Sequence, residues 1–204
     1  EKAVSSYQKA IEIQPNYANA YYNLGLILKK IGKFEKAVSA YQKAIEIDPN
    51  FIAAYNNLGI VFKELREFEK AVSSYQKAIK IQPHYANAHY NLGNVQHELG
   101  ELEKAVSSYQ KAIEIQPNYA SAHHNLGYLL SDLGKYDEAT AACRQAIKIK
   151  PNYAKAYSML LFNLNYKTDF DPNLYLSEAK KFRINCGPKK NLSFKYQYEK
   201  NPTK

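Results

Sequence analysis

Apolar residues recur along this chain at helical intervals, not in the alternation of a strand. Tyr21, Leu24, Leu28 and Ile31 fall at i, i+3, i+7 and i+10, and a second stripe runs through Phe34, Ala37, Val38, Tyr41, Ala44 and Ile45. Both stripes return at a fixed interval. The string EKAVSAYQKAIEIDPN at 35–50 recurs with small changes at 69–84 and 103–118, evenly spaced, with a further copy at 1–16 and a looser one at 137–152. Between these strings lies a second unit, YYNLGLILKKIGKF from Tyr21, then YNNLGIVFKELREF from Tyr55, HYNLGNVQHELGEL from His89 and HHNLGYLLSDLGKY from His123. The pattern predicts two helices per period. A lone pair cannot bury both stripes, so neighbouring pairs must stack.

The punctuation agrees with that period. Gly32, Gly100 and Gly134 fall between the two helices, where a left-handed residue lets the chain reverse. Arg66 takes that place once, so its turn is expected to be strained by about 1 kcal/mol or to have another shape. Pro15, Pro49, Pro83, Pro117 and Pro151 end the second helices, and Asn16, Asn50, Asn118 and Asn152 are expected to cap the helices that follow. Gly25, Gly59, Gly93 and Gly127 lie inside the first helices, each at a cost of about 1 kcal/mol against alanine. That cost suits a close approach of two helices, with Ala37, Ala71, Ala105 and Ala139, and Ala44, Ala78, Ala112 and Ala146, as the small partners.

A 34-residue helix-turn-helix unit with aromatic-x-x-Leu-Gly, then Ala-x-x-x-aromatic, then Ala and Pro, resembles the tetratricopeptide repeat. The likeness covers 1–153, as a half repeat 1–17 and repeats 18–51, 52–85, 86–119 and 120–153, followed by a divergent helical cap or junction at 154–184 and a basic linker or short strand at 185–204. It implies an all-α, right-handed superhelix (α-solenoid) with a divergent C-terminal helical or extended segment. It also implies a concave wall lined by the first helices, and no chemistry of its own. Because the chain opens on a second helix, an exposed apolar face is expected there, available for self-association.

The residue before each Leu-Gly pair is Asn23, Asn57, Asn91 and Asn125. A carboxamide both donates and accepts, so a ladder of them can pair with the N–H and C=O of an extended peptide without reading its sequence. The same asparagines can instead tie neighbouring helices together, and the sequence leaves both readings open. Four rungs at roughly 0.5–1.5 kcal/mol each fall short of association costs of about 4–15 kcal/mol, so the ladder alone binds weakly. Tyr22, Asn56, Tyr90, His124, Asn94 and Tyr128, on the same helices, would have to add pockets. A carboxylate clamp of the co-chaperone kind has Lys29, Lys30 and Lys63 to draw on, but no Lys or Arg follows in the next two first helices.

Catalytic and metal chemistry finds no purchase, and no cofactor is expected. His89 and His123 take the place of Tyr21 and Tyr55, which favours packing; His97-Glu98 lacks a second histidine four residues on; and His123 and His124 face different ways. Eleven of the 19 tyrosines fall at periodic positions, which favours core packing over base stacking. Cys143 and Cys186 make no disulfide framework, which favours a reducing, cytoplasmic setting, and Cys143 replaces a periodic tyrosine as an expected buried thiol.

The net charge of +9 is unevenly placed: residues 1–153 carry +3 and residues 154–204 carry +6. An excess in a terminal segment disfavours an electrostatic groove for nucleic acid. No apolar run of eighteen residues occurs, so no membrane span is expected. After Tyr153 the pattern decays. Leu160-Leu161 stands where Leu-Gly would be, a helix over 172–183 starts at Asp171-Pro172, and 194–198 alternates as a short strand would. The segment 158–166, with Asp171-Pro172 and the helix after it, resembles the junction in O-linked N-acetylglucosamine transferase-like proteins, where repeats meet a nucleotide-sugar glycosyltransferase. That resemblance implies a substrate-recruiting region whose catalytic domain is absent here. The competing expectation is a free-standing adaptor, co-chaperone-like or self-assembling module. In either case the chain itself is non-catalytic and its partners are extended or unstructured protein segments.

Overall fold

The computed structural model describes residues 2–187. They form eleven helices and no strand: α1 Lys2–Ile13, α2 Ala18–Lys30, α3 Phe34–Ile47, α4 Ile52–Glu64, α5 Phe68–Ile81, α6 Ala86–Glu98, α7 Leu102–Ile115, α8 Ala120–Asp132, α9 Tyr136–Ile149, α10 Ala154–Asn165 and α11 Pro172–Cys186. Each packs on its neighbours in sequence as an α-solenoid. The strand expected at 194–198 lies outside the described residues, and α11 runs past Arg183 to end at Cys186.

The hairpins inside each repeat close alike. Gly32, Gly100 and Gly134 have φ of 74°, 76° and 72°, and the next residue's N–H reaches back to a helix carbonyl, as Lys33 N does to Leu28 O at 2.9 Å. Arg66 keeps this shape, with φ of 59° and Glu67 N donating to Phe62 O at 2.8 Å. Of the two outcomes expected there, the chain takes strain over reshaping, and the guanidinium lies 5.2 Å from the Phe68 ring centre.

Between repeats the expected asparagine caps are absent. The N-cap positions belong to Tyr17, Phe51, Tyr85, Tyr119 and Tyr153, none with a side-chain cap bond. The Pro-Asn pairs form the centre of β-turns, closed by Phe51 N to Asp48 O at 3.1 Å and Tyr119 N to Gln116 O at 3.1 Å. With proline second in the turn, asparagine falls third, one place too early to cap. Asp171 does cap α11, accepting from Asn173 N and Leu174 N.

Three of the four helical glycines face a tyrosine ring and not the alanines, while Gly127 does meet Ala139. A Cβ on Gly25, Gly59 or Gly93 would stand 2.6, 2.6 or 2.8 Å from the ring of Tyr41, Tyr75 or Tyr109, on the second helix of the same repeat. These tyrosines are buried, as are Ala37, Ala44, Ala71, Ala78, Ala105 and Ala112 on the same second helices. At Gly127 the corresponding residue is Cys143, whose Sγ would be 3.0 Å from that Cβ. Burial pushes the Cys143 thiol up to about 12, so it is a packing group and not a nucleophile.

Among the described residues, first helices touch one another across repeats, α2 with α4, α4 with α6 and α8 with α10, more extensively than second helices do. A stack pinched along one row and open along the other curves toward the pinched row. The first helices therefore line the concave face.

Candidate peptide-binding face

Each first helix is tied to the one before it by the asparagine preceding Leu-Gly. Asn57 Nδ2 donates to Tyr22 Oη at 3.2 Å, Asn91 Nδ2 to Asn56 Oδ1 at 2.9 Å, and Asn125 Nδ2 to Tyr90 Oη at 3.2 Å, each across 35 positions. The residue before the asparagine in one repeat thus receives the asparagine of the next. Its side chain also wedges the following turn: Tyr22 packs on Phe51, Tyr90 on Tyr119, and His124 on Tyr153, with ring centres 4.8, 4.8 and 5.0 Å apart. Asn56 is buried at the corresponding place. His89 and His123 sit to the side, each donating Nε2–H to a turn carbonyl, Pro83 O and Pro117 O, at 2.9 Å.

The four asparagines are not equivalent. Asn57 is saturated: its Nδ2 also meets Ala53 O at 3.0 Å, and its Oδ1 accepts from Lys29 Nζ at 2.6 Å. Burial lowers the Lys29 pKa, partly offset by Glu64. Asn125 engages its NH2, on Tyr90 and on Asn94 Oδ1 at 2.9 Å and also toward the Tyr109 hydroxyl. Asn94 Oδ1 also accepts from Tyr109 Oη at 2.9 Å, and among the described residues neither Asn94 NH2 nor Asn125 Oδ1 has a hydrogen-bond partner. The linked pair leaves one donor on α6 and one acceptor on α8. The half-buried Asn23 has no side-chain partner among the described residues.

Around that pair lies a cleft of about 380 Å³, where Tyr90, Asn94, His124, Asn125 and Tyr128 come together with Lys63, His97, Glu98 and Tyr109. Tyr22, Asn23, Asn56, Asn57 and Asn91 do not line it. The sequence reading did not bring the second group to the site, although Lys63 and His97 occupy the same place in successive repeats. Lys63 pairs with Glu98 at 3.4 Å, and Lys29 is held by Asn57. Two of the lysines that a carboxylate clamp would need are thus already engaged. Burial, and after it Lys155, lowers the His124 pKa and so disfavours the charged ring, and its Nδ1 is buried without a hydrogen-bond partner among the described residues. Among the described residues, no group of three metal-ligating side chains is gathered, and no helix is long and apolar enough to cross a membrane.

Comparison with known proteins bears on what such a face belongs to. No curated protein matches the chain. Among solved structures it is similar to MamA, at 26% identity over 82% of this chain and 91% of that one with a TM-score of 0.73. It is similar also to YrrB, described as a TPR protein with an unusual peptide-binding site, at 25% identity over 89% and 92% with a TM-score of 0.71. PilF of Pseudomonas aeruginosa, at 23% identity over 85% and 78% with a TM-score of 0.73, shares the fold. Tetratricopeptide repeat profiles match 18–51 and 120–153, and 40–73, and a TPR repeat profile matches 1–32, 63–100 and 97–134. With those matches running from residue 1 to residue 153, the chain belongs to the tetratricopeptide repeat family, a family of typically non-catalytic scaffolds.

Proposed function

We propose that this chain is a protein-interaction module that holds an extended polypeptide segment along its concave face, at the cleft spanning α6 and α8. One observation carries the reading: Asn94 and Asn125, bonded to each other, keep an NH2 and a carbonyl without partners among the described residues in the lining of an open cleft. That is the complement of the C=O and N–H of one extended residue. The peptide-binding site described for YrrB, over a match of 89% of this chain, supports it.

The finer reading, a substrate-recruiting region of an O-linked N-acetylglucosamine transferase-like protein, rests on the wording of the sequence, above all 158–166 with Asp171-Pro172 and the helix after it. The comparisons lend it no support, and an adaptor module is the better account. Self-association remains the form such a module takes if its partner is another copy.

Fluorescence anisotropy with a diverse set of unstructured peptides tests the proposal, using the chain and an Asn94→Ala, Asn125→Ala variant whose helicity is checked by circular dichroism. Sequence-tolerant binding that the folded variant loses supports the proposal. Binding that the variant keeps, or no binding by either protein, contradicts it.

A further inference from the structure

The groove changes character beyond Asn125. A second cleft, of about 490 Å³, adjoins the first and is lined by Ala154, Lys155, Ser158, Met159 and Phe162, with His124 and Tyr128 common to both, so the two form one trough. Tyr128 is 38% exposed and Phe162 48%, large apolar surfaces left open on a concave wall. Both rings are braced from behind: Phe162 by Tyr166, with centres 4.6 Å apart, and Tyr128 by His97, edge-on at 5.6 Å. Met159 stands one full period after Asn125 and replaces the asparagine rung by a thioether. The backbone-reading half of the trough thus passes into a half that can only read a side chain.

The charges along the trough are also unequal. Lys63 is neutralised by Glu98 at 3.4 Å. Lys155, exposed at the rim of the apolar half, has no ion pair among the described residues, and no carboxylate lines that half. A ligand with a positive charge there would meet a like charge, and one with a carboxylate would meet its complement. The apolar floor favours an aromatic ring, which can stack on Tyr128 and Phe162 and meet the sulfur of Met159.

We propose that the trough selects partner segments in which an aromatic side chain stands next to an acidic one. The ring enters between Tyr128, Met159 and Phe162, the carboxylate meets Lys155, and the flanking backbone is held by Asn94 and Asn125. This rests on the groove reading above and adds the class of peptide that the groove prefers.

The test uses the full chain at low salt and three labelled peptides with the same unstructured Gly/Ser/Asn frame, centred on Phe-Glu, Ala-Glu or Phe-Lys. Anisotropy is expected to rank Phe-Glu tightest, with Ala-Glu weaker by about tenfold or more. Phe162→Ala should weaken Phe-Glu and leave Ala-Glu unchanged. Lys155→Glu, at an exposed site, should weaken Phe-Glu by about two- to fivefold and make Phe-Lys the better ligand. Equal binding of the three peptides, or a Phe-Glu preference that both variants keep, overturns the selectivity. If in that case all three are lost on Asn94→Ala with Asn125→Ala, the groove reading stands without it. If none of the three peptides binds, both fall.

Discussion

Lys29 Nζ stands 2.6 Å from Asn57 Oδ1, a contact that turns a rung of an apparent peptide ladder into an internal bolt between two repeats. Asn57 and Asn125 are therefore expected to differ in function while resembling one another in stability. Either change to alanine removes hydrogen bonds between first helices and should lower stability by about 1–2 kcal/mol in thermal or urea melts. Only Asn125→Ala should also weaken peptide binding. Equal loss of affinity in the two variants would mean that the rungs act alike.

The glycine facing each second helix makes a graded prediction. Gly59→Ala places a methyl 2.6 Å from the Tyr75 ring, so an overpacking cost of about 1–3 kcal/mol should exceed the roughly 1 kcal/mol gained in helix propensity. Gly127→Ala meets Cys143 Sγ at 3.0 Å and a backbone carbonyl, Ala139 O, at 3.2 Å, milder contacts than a ring at 2.6 Å. It should be the better tolerated of the two, and comparing the two melting temperatures checks this.

Arg66 holds a left-handed backbone that its neighbours in register assign to glycine. Arg66→Gly should raise stability by about 0.5–1 kcal/mol, the relief of strain outweighing the exposed contact with Phe68 and the added freedom of the unfolded chain. A denaturation midpoint that falls would show that the cation–π contact is the larger effect.

His124 makes the fold sensitive to acid. Its folded pKa lies below the unfolded value near 6.5, chiefly through burial and secondly through Lys155, so below that pH the unfolded chain binds a proton that the folded chain resists. Its contribution is full above about pH 6.5 and is lost as the pH falls toward the folded value. His124→Phe, which keeps a ring against Tyr153, should flatten the decline between neutral and mildly acidic pH in urea titrations. An unchanged decline would place the acid sensitivity elsewhere.

The helices and their turns were legible because the repeat period and the helical stripe are properties of the sequence itself. Arg66 could be singled out because its register is glycine elsewhere. What could not be read was the partner of each asparagine. The bond from Asn125 to Tyr90 spans 35 positions, an interval set by how one repeat seats on the next and not by any helix. Whether a rung stays open then depends on its neighbours in space, Lys29 for Asn57 and Asn94 for Asn125, residues that share no register. Phe162 was missed because the Leu-Gly mark had gone, although it takes the place of Tyr128 one period later. The asparagines after proline misled for a local reason, since a β-turn moved them one place short of the cap.

The most direct test of the account is photo-crosslinking of an unstructured peptide bearing a benzophenone side chain, with the sites mapped by mass spectrometry. Crosslinks confined to α6, α8 and α10, at residues such as Tyr128, Met159 and Phe162, are the predicted result. Crosslinks concentrated on α5, α7 and α9 would place binding on the convex side and contradict the account.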